Sequence, residues 1–389
     1  MKIAVTICEY NPFHNGHAYS LEQIKKTSGA DAVVCVMSGN FTERGEIAIM
    51  HKYVRAKHAV LAGADLVVEL PTVFATAPAE IFASGAVKIA ESLSGERTLF
   101  FGIENGTKDG LIATASYLLR ESSEFKTLLK EELKTGASFA RARYNALEKL
   151  NPPGIDLGFT TSPNNILALE YAKAVIERGY KTELSPILRM GAGYKAEKPD
   201  GKFFSASGIR ELLTTGKKRK AAKFMPKFVY NDLPDELVSV DDLVLYALLS
   251  TPKKDIAHII DCTEGLENRI KAHVKDCFTR KELIDKLSTK RYTVPRLSRI
   301  MLATLLGIDE KLVSRCLKSD LYLKILAIDK NKTDLLSALG GKIPFVMRKR
   351  DADELSGVAA ECFEKDVFAN EIYNLTAKTK TNEFYSLLV

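Results

Sequence analysis

The sequence predicts an α/β fold: a doubly wound parallel sheet, then a mainly helical region and a small α/β tail. First, short and nearly continuous apolar runs alternate with helical patterns in the first hundred residues, as in βαβ units whose strands are covered on both faces. Second, 389 residues with 46% hydrophobic and 27% charged side chains suit a globular chain of two or three domains. No apolar run approaches the roughly 18 residues of a membrane-spanning helix, so we expect no membrane partner.

The apolar runs predict four strands joined by right-handed crossovers. Such crossovers bring the carboxyl ends of the strands, and the loops after them, to one edge of the sheet, where α/β proteins bind ligands. The predicted strands are Ile3–Cys8, Asp31–Met37, Asp65–Leu70 and Thr98–Phe101, and the helices between them start near His17 and cover Glu46–Ala62 and Ala79–Leu93.

The rest of the chain continues with helices and few strands. A helical stretch ends at a Pro-Pro-Gly break, and a short helix then follows Ser205 or Ser207 as its N-cap. The predicted elements are a helical pattern over Gly110–Leu150, a helix over Ile166–Ile176, a strand over Thr182–Arg189, a loop over 191–202, helices from Pro234 to Leu317, strands over Leu321–Ile328 and Ile343–Met347, and helices over Thr333–Leu339 and Asp351–Leu375.

The net charge of +7 is confined to the second half of the chain. Residues 1–200 hold 23 basic and 23 acidic side chains, whereas residues 201–389 hold 33 basic and 26 acidic ones. This asymmetry predicts a polyanionic partner for the second half. We expect three units, covering residues 1–215, 216–320 and 321–389, with the basic excess in the middle unit.

Two basic stretches are the candidates for nucleic-acid contact. The first is Lys217, Lys218, Arg219 and Lys220, and the second spans 269–299, with ten Lys and Arg against three Asp and Glu. Within the second stretch, Tyr292 offers a ring that could stack on an unpaired base. A solvated surface is the alternative for either stretch. The predicted RNA-binding residues of the second stretch are Lys290, Arg291, Tyr292 and Arg296.

The N-terminus and the cysteines predict a cytoplasmic protein. The apolar segment at the start is as long as a strand, too short for a signal peptide, and no cleavage site follows it. The six cysteines are scattered without a Cys-x-x-Cys pair, which argues against a disulfide framework or a zinc site. We therefore predict no metal ligands in the chain.

The loop after the first strand carries the strongest chemical pattern. Glu9–His17 is neither a dinucleotide-binding glycine motif nor a P-loop. It places His14 and His17 around Gly16 at the start of a helix, where free N–H groups and the positive end of the helix dipole favour phosphate. Gly16 would let the backbone approach a ligand closely. The alternatives for the histidine pair are a metal site and ordinary helix capping.

These motifs resemble known signatures. The sequence His14–His17 resembles the HxGH signature of the nucleotidylyltransferase superfamily, whose fold is a Rossmann-like sheet, and Ser205–Arg210 resembles its second signature. Longer strings are similar to the bacterial tRNA(Met) cytidine acetate ligase family, in order from residue 2 to at least residue 300 and more faintly beyond. These strings are Glu9–His17, Met37–Phe41, Glu43–Glu46, Phe101–Gly106 and Lys290–Thr293.

The resemblance implies that ATP activates acetate as acetyl-adenylate. The acetyl group then passes to N4 of the wobble cytidine (C34) of elongator tRNA(Met), forming N4-acetylcytidine. ATP would be a substrate, Mg²⁺ would spread the triphosphate charge, and His14, His17 and Arg210 would be catalytic. The ATP-binding residues implied by the resemblance are Ile7, Cys8, Glu9, Tyr10, Asn11, Pro12, Phe13, His14, Asn15, Gly16, His17, Ala18, Tyr19, Ser20, Gly102, Asn164, Arg189, Ser205 and Ser207.

Some positions depart from the family or allow a simpler interpretation. Ile7 and Cys8 stand where valines are more usual. Gly208 replaces a small polar residue, which we expect to loosen the helix start. By spacing alone, Gly102 could be a turn glycine, Asn164 a helix cap and Arg189 a surface charge.

His51 and His58 lie seven residues apart in a helical pattern and are expected to be solvated or to pack against the helix, not to bind a ligand.

Two other functions use the same motifs. An adenylyltransferase acting on a small phosphate ester or mononucleotide would share both signatures but would need no basic second half. A nucleotide-sensing RNA-binding protein without turnover would share the basic stretches as well. Salt-dependent tRNA binding separates the first alternative from the ligase, because phosphate contacts release counterions. Acetate-dependent ATP–pyrophosphate exchange separates the second alternative from the ligase, because only the ligase would catalyse it.

Overall fold

The computed structural model describes residues 1–189 and 200–389. Most of the loop predicted at 191–202 lies outside the described residues. Mainly apolar, β-branched segments form the central strands, and β1 to β3 are buried along nearly their whole length. The strands are β1 (Lys2–Cys8), β2 (Ala32–Ser38), β3 (Leu66–Leu70), β4 (Glu96–Ile103), β5 (Glu183–Leu188), β6 (Leu323–Ile328), β7 (Phe345–Val346) and β8 (Leu387–Leu388).

Helices connect and surround the strands, and polar side chains cap several of their N-termini. The helices are α1 (Asn15–Ser28), α2 (Lys52–Leu61), α3 (Thr72–Ala75), α4 (Ala79–Glu91), α5 (Lys108–Leu119), α6 (Ser123–Lys134), α7 (Phe139–Leu150), α8 (Pro163–Arg178), α9 (Ala206–Thr214), α10 (Lys218–Ala221), α11 (Lys227–Asn231), α12 (Asp241–Ser250), α13 (Lys253–Ile256), α14 (Leu266–His273), α15 (Arg280–Leu287), α16 (Val294–Leu306), α17 (Glu310–Lys318), α18 (Leu335–Leu339), α19 (Lys349–Asp353) and α20 (Gly357–Ala377).

The sheet confirms the predicted doubly wound parallel architecture. Its strand order is β5-β4-β1-β2-β3-β6-β7, with β8 also paired to β6. The first five strands are parallel, and β6 runs antiparallel to β3. The chain winds from β1 to β2 and β3 on one side and to β4 and β5 on the other. The topological switch point therefore lies between β1 and β4, where such sheets bind ligands.

The tail contributes to the same sheet as the first unit. Strand β6 pairs with β3 through Leu66↔Ile328 and Val67↔Ala327. The residues of β6 are fully buried. The division into units at 215 and 320 stays a prediction, but the tail and the N-terminal sheet share one hydrophobic core.

Several predicted helices have different bounds. The helix predicted over Glu46–Ala62 begins only at Lys52, because His51 accepts the Tyr53 N–H as its N-cap and residues before it form a loop. The pattern over Gly110–Leu150 consists of three helices, each capped by a Thr or Ser. The long helix predicted from Asp351 is interrupted between α19 and α20. The described helices include none long and apolar enough to cross a membrane.

A buried polar network joins the C-terminal tail to the sheet. The Lys52 Nζ lies 2.7 Å from carboxylate oxygens of both Glu69 on β3 and Glu383 near the C-terminus, and all three side chains are about 1% exposed. The Tyr53 hydroxyl donates to the Glu383 carbonyl. The Lys52 ammonium therefore bridges two carboxyl groups from distant parts of the chain, which holds the tail in place.

Replacing Lys52→Met should destabilise the fold by about 3–5 kcal/mol, because it leaves two buried carboxylates without their counter-charge. The free energy of unfolding can be measured by urea denaturation. Lys26→Met is the matched control, since Lys26 pairs with Glu22 on the exposed face of α1 and such surface pairs contribute little. Equal destabilisation by both substitutions would contradict the structural role of the network.

Candidate functional site

A cleft of about 480 Å³ opens at the carboxyl edge of the sheet, beside the switch point. It is built from the loop after β1, the ends of β4 and β5, and the starts of α8 and α9. The lining residues are Thr6, Ile7, Cys8, Glu9, Tyr10, Asn11, His14, Gly16, His17, Tyr19, Ser20, Glu43, Arg44, Ala79, Phe82, Phe101, Gly102, Pro163, Asn164, Ile166, Leu167, Tyr171, Ile187, Leu188, Arg189, Ser205, Ala206, Ser207 and Arg210.

The two histidines of the first loop stack at the N-terminus of α1. His14 is the N-cap, and its Nδ1 accepts the Gly16 N–H at 3.0 Å. The His17 Nδ1 accepts the His14 N–H at 3.3 Å, and the ring centroids lie 3.6 Å apart. Because Nδ1 is an acceptor in both rings, we assign the proton to Nε2 in both. Each ring therefore has an N–H group available for a ligand.

Both imidazoles are neutral at physiological pH. Burial and, to a lesser degree, the Arg189 guanidinium together lower the pKa of His14 to about 3. Burial, His14 and Arg189 hold the pKa of His17 well below its usual value. The histidines therefore act as hydrogen-bond donors without charge. The positive charge in this part of the cleft comes from Arg189 and Arg210.

Gly102, Asn164 and Arg189 meet in one cluster, although their roles could not be decided from their spacing in the sequence. Gly102 ends β4, and a Cβ added there would lie 2.9 Å from the Arg189 Cγ, so glycine permits this close approach. The Asn164 Nδ2 donates to Glu104, and the Arg189 side chain reaches the Asn164 Oδ1 at 3.5 Å. Gly102, Asn164 and Arg189 therefore form one cluster in the wall of the cleft.

The second signature forms the start of α9. The Ser205 Oγ accepts the Gly208 N–H at 3.1 Å and lies 3.1 Å from the Ser207 Oγ. A Cβ at Gly208 would come within 2.3 Å of the Phe204 ring, and the expectation that Gly208 loosens this start stays a prediction. Arg210 donates to the Asn11 carbonyl and pairs with Glu46 at 3.2 Å.

We call the phosphate-compatible part of the cleft the donor end. It comprises the donors and cations His14, His17, Asn164, Arg189, Ser205, Ser207 and Arg210. These residues come from four separate segments of the chain, and the fold brings all of them to one cavity. Nearly all the predicted catalytic and nucleotide-binding side chains therefore line the same space.

Four residues of the first loop do not line the cleft. Phe13 is fully buried in the core beneath the loop, and Pro12 is buried beside it. The Asn15 Nδ2 donates to the Lys202 and Lys223 carbonyls. Ala18 packs against the adjacent hydrophobic cluster. Their side chains support the loop, and a ligand could reach only their backbone.

A second group of lining residues was absent from the predicted site, apart from Glu9. We call it the carboxylate end, and it comprises Glu9, Glu43, Arg44, Phe82, Phe101 and Tyr171. The Glu9 Oε1 accepts the Glu43 N–H at 2.8 Å. Burial raises the pKa of Glu9 to about 7. Of this end, only Glu9 was predicted, although Glu43–Glu46 belongs to the strings that carry the family resemblance.

The first basic stretch is mostly exposed. Lys217, Arg219 and Lys220 are exposed around the short helix α10. Lys218 is half-buried, and its Nζ lies 3.3 Å from the Leu233 carbonyl. Three of the four predicted cations are therefore available to solvent in this structure.

The second basic stretch requires one correction. Lys290 and Arg291 are exposed, and Arg291 pairs with Glu264 at 3.1 Å. The Tyr292 ring is only 8% exposed, and the guanidinium groups of Arg269 and Arg296 lie over it. The prediction that it stacks on a base is wrong for this conformation, because the ring is buried and already contacts two guanidinium groups. The Arg296 guanidinium donates to the Asp261 carbonyl and supports this packing.

The other two histidines of the first unit pack inside the fold. The His58 Nε2 lies 2.9 Å from Asp232, and the His51 Nε2 lies 2.8 Å from Asn370. The sequence left solvation and packing against the helix as alternatives for these two histidines, and packing is correct. The described residues contain no group of three or more His, Cys, Asp or Glu side chains arranged to hold a metal ion.

Comparison with known sequences identifies similar proteins over the whole chain. The model of the HIGH Nucleotidyl Transferase family matches residues 1–386. A tRNA(Met) cytidine acetate ligase of Acetivibrio thermocellus is 39% identical over 401 residues, covering 97% of this chain and 96% of the relative. The protein of the same name from Clostridium perfringens is 37% identical and covers 99% and 98%.

Solved structures show the same fold. Apo Thermotoga maritima TmcAL matches with a TM-score of 0.91 and 28% sequence identity, covering all of both chains. A second structure of that protein, bound with alpha-thio ATP, matches with a TM-score of 0.89 and 27% identity.

The imidazoles of His14 and His17 should not titrate between about pH 5 and about pH 8, because burial depresses both pKa values. NMR of protein labelled at histidine would measure their ring resonances. The urea-unfolded protein is the control, where histidines should titrate near their ordinary pKa of about 6.5. A midpoint near that value in the folded protein, for either ring, would overturn the neutral-donor assignment.

Proposed function

Since this chain belongs to the HIGH nucleotidyl transferase family and, within it, to the tRNA(Met) cytidine acetate ligases, we propose that it is the ATP-dependent ligase that acetylates N4 of the wobble cytidine (C34) of elongator tRNA(Met). The observation that carries this proposal is the single cleft at the switch point, which joins both nucleotide signatures across nearly two hundred residues. The basic second half supplies a surface for the RNA.

In the first step, an acetate oxygen attacks the α-phosphorus of ATP and pyrophosphate leaves. Acetate is already a nucleophile, so this step needs no general base. The donor end positions the triphosphate and stabilises the charge that develops on it. His14 and His17 line the cleft, and their Nε2–H groups would donate to phosphate oxygens there.

Arg189 and Arg210 would supply the positive charge on either side of the phosphates. Arg210 is held by Asn11 and Glu46, which suits it to the departing pyrophosphate. The donor end consists of hydrogen-bond donors and cations and offers no carboxylate, so phosphate oxygens and water would hold Mg²⁺. Bound Mg²⁺ would spread the triphosphate charge.

In the second step, the cytidine amine attacks the mixed anhydride of acetyl-adenylate. This intermediate also reacts with water, so water exclusion determines the yield. The apolar residues Phe82, Phe101 and Tyr171 line the carboxylate end and would shield the acyl group.

ATP, acetate and tRNA are cytoplasmic substrates, and the cytoplasm is the location we propose.

We further propose that residues 1–215 form the ATP-binding unit and residues 216–320 the RNA-binding unit, followed by the small unit 321–389. The border lies after 215 because the start of α9 lines the cleft, whereas the exposed cations begin at Lys217. In the RNA-binding unit, Lys217, Arg219, Lys220, Lys290 and Arg291 would contact phosphates.

Incubation with ATP, labelled acetate and total tRNA should produce N4-acetylcytidine, which nucleoside analysis would detect. Acetate should stimulate ATP–pyrophosphate exchange in the absence of tRNA, because adenylate formation precedes transfer. Exchange supported by a phosphate ester and not by acetate would favour the adenylyltransferase alternative. Absence of exchange with every short carboxylate would favour the nucleotide sensor.

His17→Ala should lower acetate-dependent exchange by about 10²-fold, the scale of losing one transition-state hydrogen-bond donor, and should leave tRNA binding nearly intact.

The double substitution Lys290→Ala with Arg291→Ala should weaken tRNA binding and leave acetate-dependent exchange nearly intact. It should also lower the slope of log affinity against log salt by about two. Filter binding at several salt concentrations would measure that slope. Similar losses of both activities in either variant would mean that the two sites are not separate.

A further inference from the structure

The two ends of the cleft suit different chemical groups. The donor end presents hydrogen-bond donors and cations, which fit a triphosphate. The carboxylate end presents Glu9 and Glu43 beside aromatic rings. An ionised carboxylate accepts hydrogen bonds, donates none and repels phosphate. The carboxylate end therefore fits a flat, uncharged group that carries an amine.

The Glu9 side chain is held in a defined position at this end. Arg55 donates to the Glu9 main-chain carbonyl, and the Glu9 Oε1 accepts the Glu43 N–H. The Glu43 carboxylate, by contrast, is paired with Arg299 at 3.0 Å. Across residues 1–189 and 200–389, the Glu9 carboxylate forms no ion pair within 4.0 Å. Glu9 thus keeps acceptor capacity for a group in the cleft.

The basic helical unit meets the cleft at this same end. Arg280 donates to the Gly45 carbonyl at 2.8 Å, and Arg299 contacts Glu43. A Cβ at Gly45 would lie 2.5 Å from the Arg299 backbone nitrogen, so the loop after β2 packs directly on α16. RNA bound to the basic stretch 269–299 would therefore approach the cleft on the side of Glu43 and Glu9.

We propose that Glu9 is a catalytic residue of acetyl transfer, accepting the proton that the N4 amine of the target cytidine loses. The inference rests on the proposed function. The N4–carbonyl-carbon bond forms and the bond from that carbon to the adenylate oxygen breaks. AMP leaves with the electron pair of that bond, and the amine proton moves to the Glu9 carboxylate. The carboxylate end is then the acceptor-base subsite of the cleft.

The electrostatic surroundings of Glu9 match this role. The pKa of Glu9 is raised to about 7, mainly by burial. The charge of Glu43 raises it as well, whereas the backbone hydrogen bond from Glu43 and the charges of Arg210 and Arg55 lower it. Arg44 and Tyr171 also border this end. A general base is most effective when its pKa lies near the working pH. Because the base form is the ionised one, acetyl transfer should rise with pH through about 7 and then level off.

Glu9→Gln tests the proposal, because the amide keeps the size of the side chain and an oxygen that can accept the Glu43 N–H. Acetate-dependent ATP–pyrophosphate exchange, measured in parallel on the same variant, should fall by less than acetyl transfer does. Single-turnover transfer from preformed acetyl-adenylate to tRNA should fall by about 10²- to 10⁴-fold, and the residual rate should lose its rise near pH 7. Unchanged transfer, or an equal loss of exchange, would overturn the role of Glu9.

Two further variants separate proton transfer from packing. Glu9→Asp keeps a carboxylate and should retain a pH-dependent rise, whereas a purely structural role predicts that it fails at least as badly as Glu9→Gln. Glu43→Gln removes the neighbouring carboxylate and should leave the pH-dependent rise in place. If the wild-type protein forms acetyl-adenylate but acetylates no tRNA, the proposed function fails independently of the Glu9 variants.

Discussion

The arrangement of the cleft depends on one buried arginine. Arg55 on α2 is fully buried, and its guanidinium donates to the carbonyls of Glu9, Ser38, Gly39 and Met50. A guanidinium has five N–H donors in a planar fork and remains charged when buried. It therefore ties the loops after β1 and β2 to one helix. These loops carry the catalytic candidates on one side and the contact to the basic unit on the other.

A first unit with almost no net charge can still handle a highly charged ligand. Neutral histidines provide hydrogen bonds of fixed direction, because each Nδ1 is engaged by a backbone N–H. Two arginines provide the charge locally, so the unit needs no net excess of cations. The excess lies in the second half, where long-range attraction to a polyanion is useful. The contact of the loop after β2 with α16 connects the two functions.

Local signals in the sequence predicted the parts of the site that are contiguous in the chain. The strand, loop and helix around His14–His17, and the capped helix start at Ser205, follow from apolar periodicity and capping chemistry. Tyr292 illustrates the opposite case: its basic neighbours suggested a stacking surface, but Arg269 and Arg296 cover the ring. Neighbours in space, rather than in sequence, decide whether a side chain is available.

The sequence by itself determined the α/β class, the histidine loop after the first strand and the concentration of positive charge in the second half, because periodicity, glycine and charge are properties of short segments. Only the tertiary structure decided that β6 extends the N-terminal sheet, that Arg189 meets Gly102 and Asn164, and that Glu43 joins Glu9 in the lining of the cleft. These features come from packing between segments far apart in the chain, and the depressed and raised pKa values follow from the burial that this packing creates.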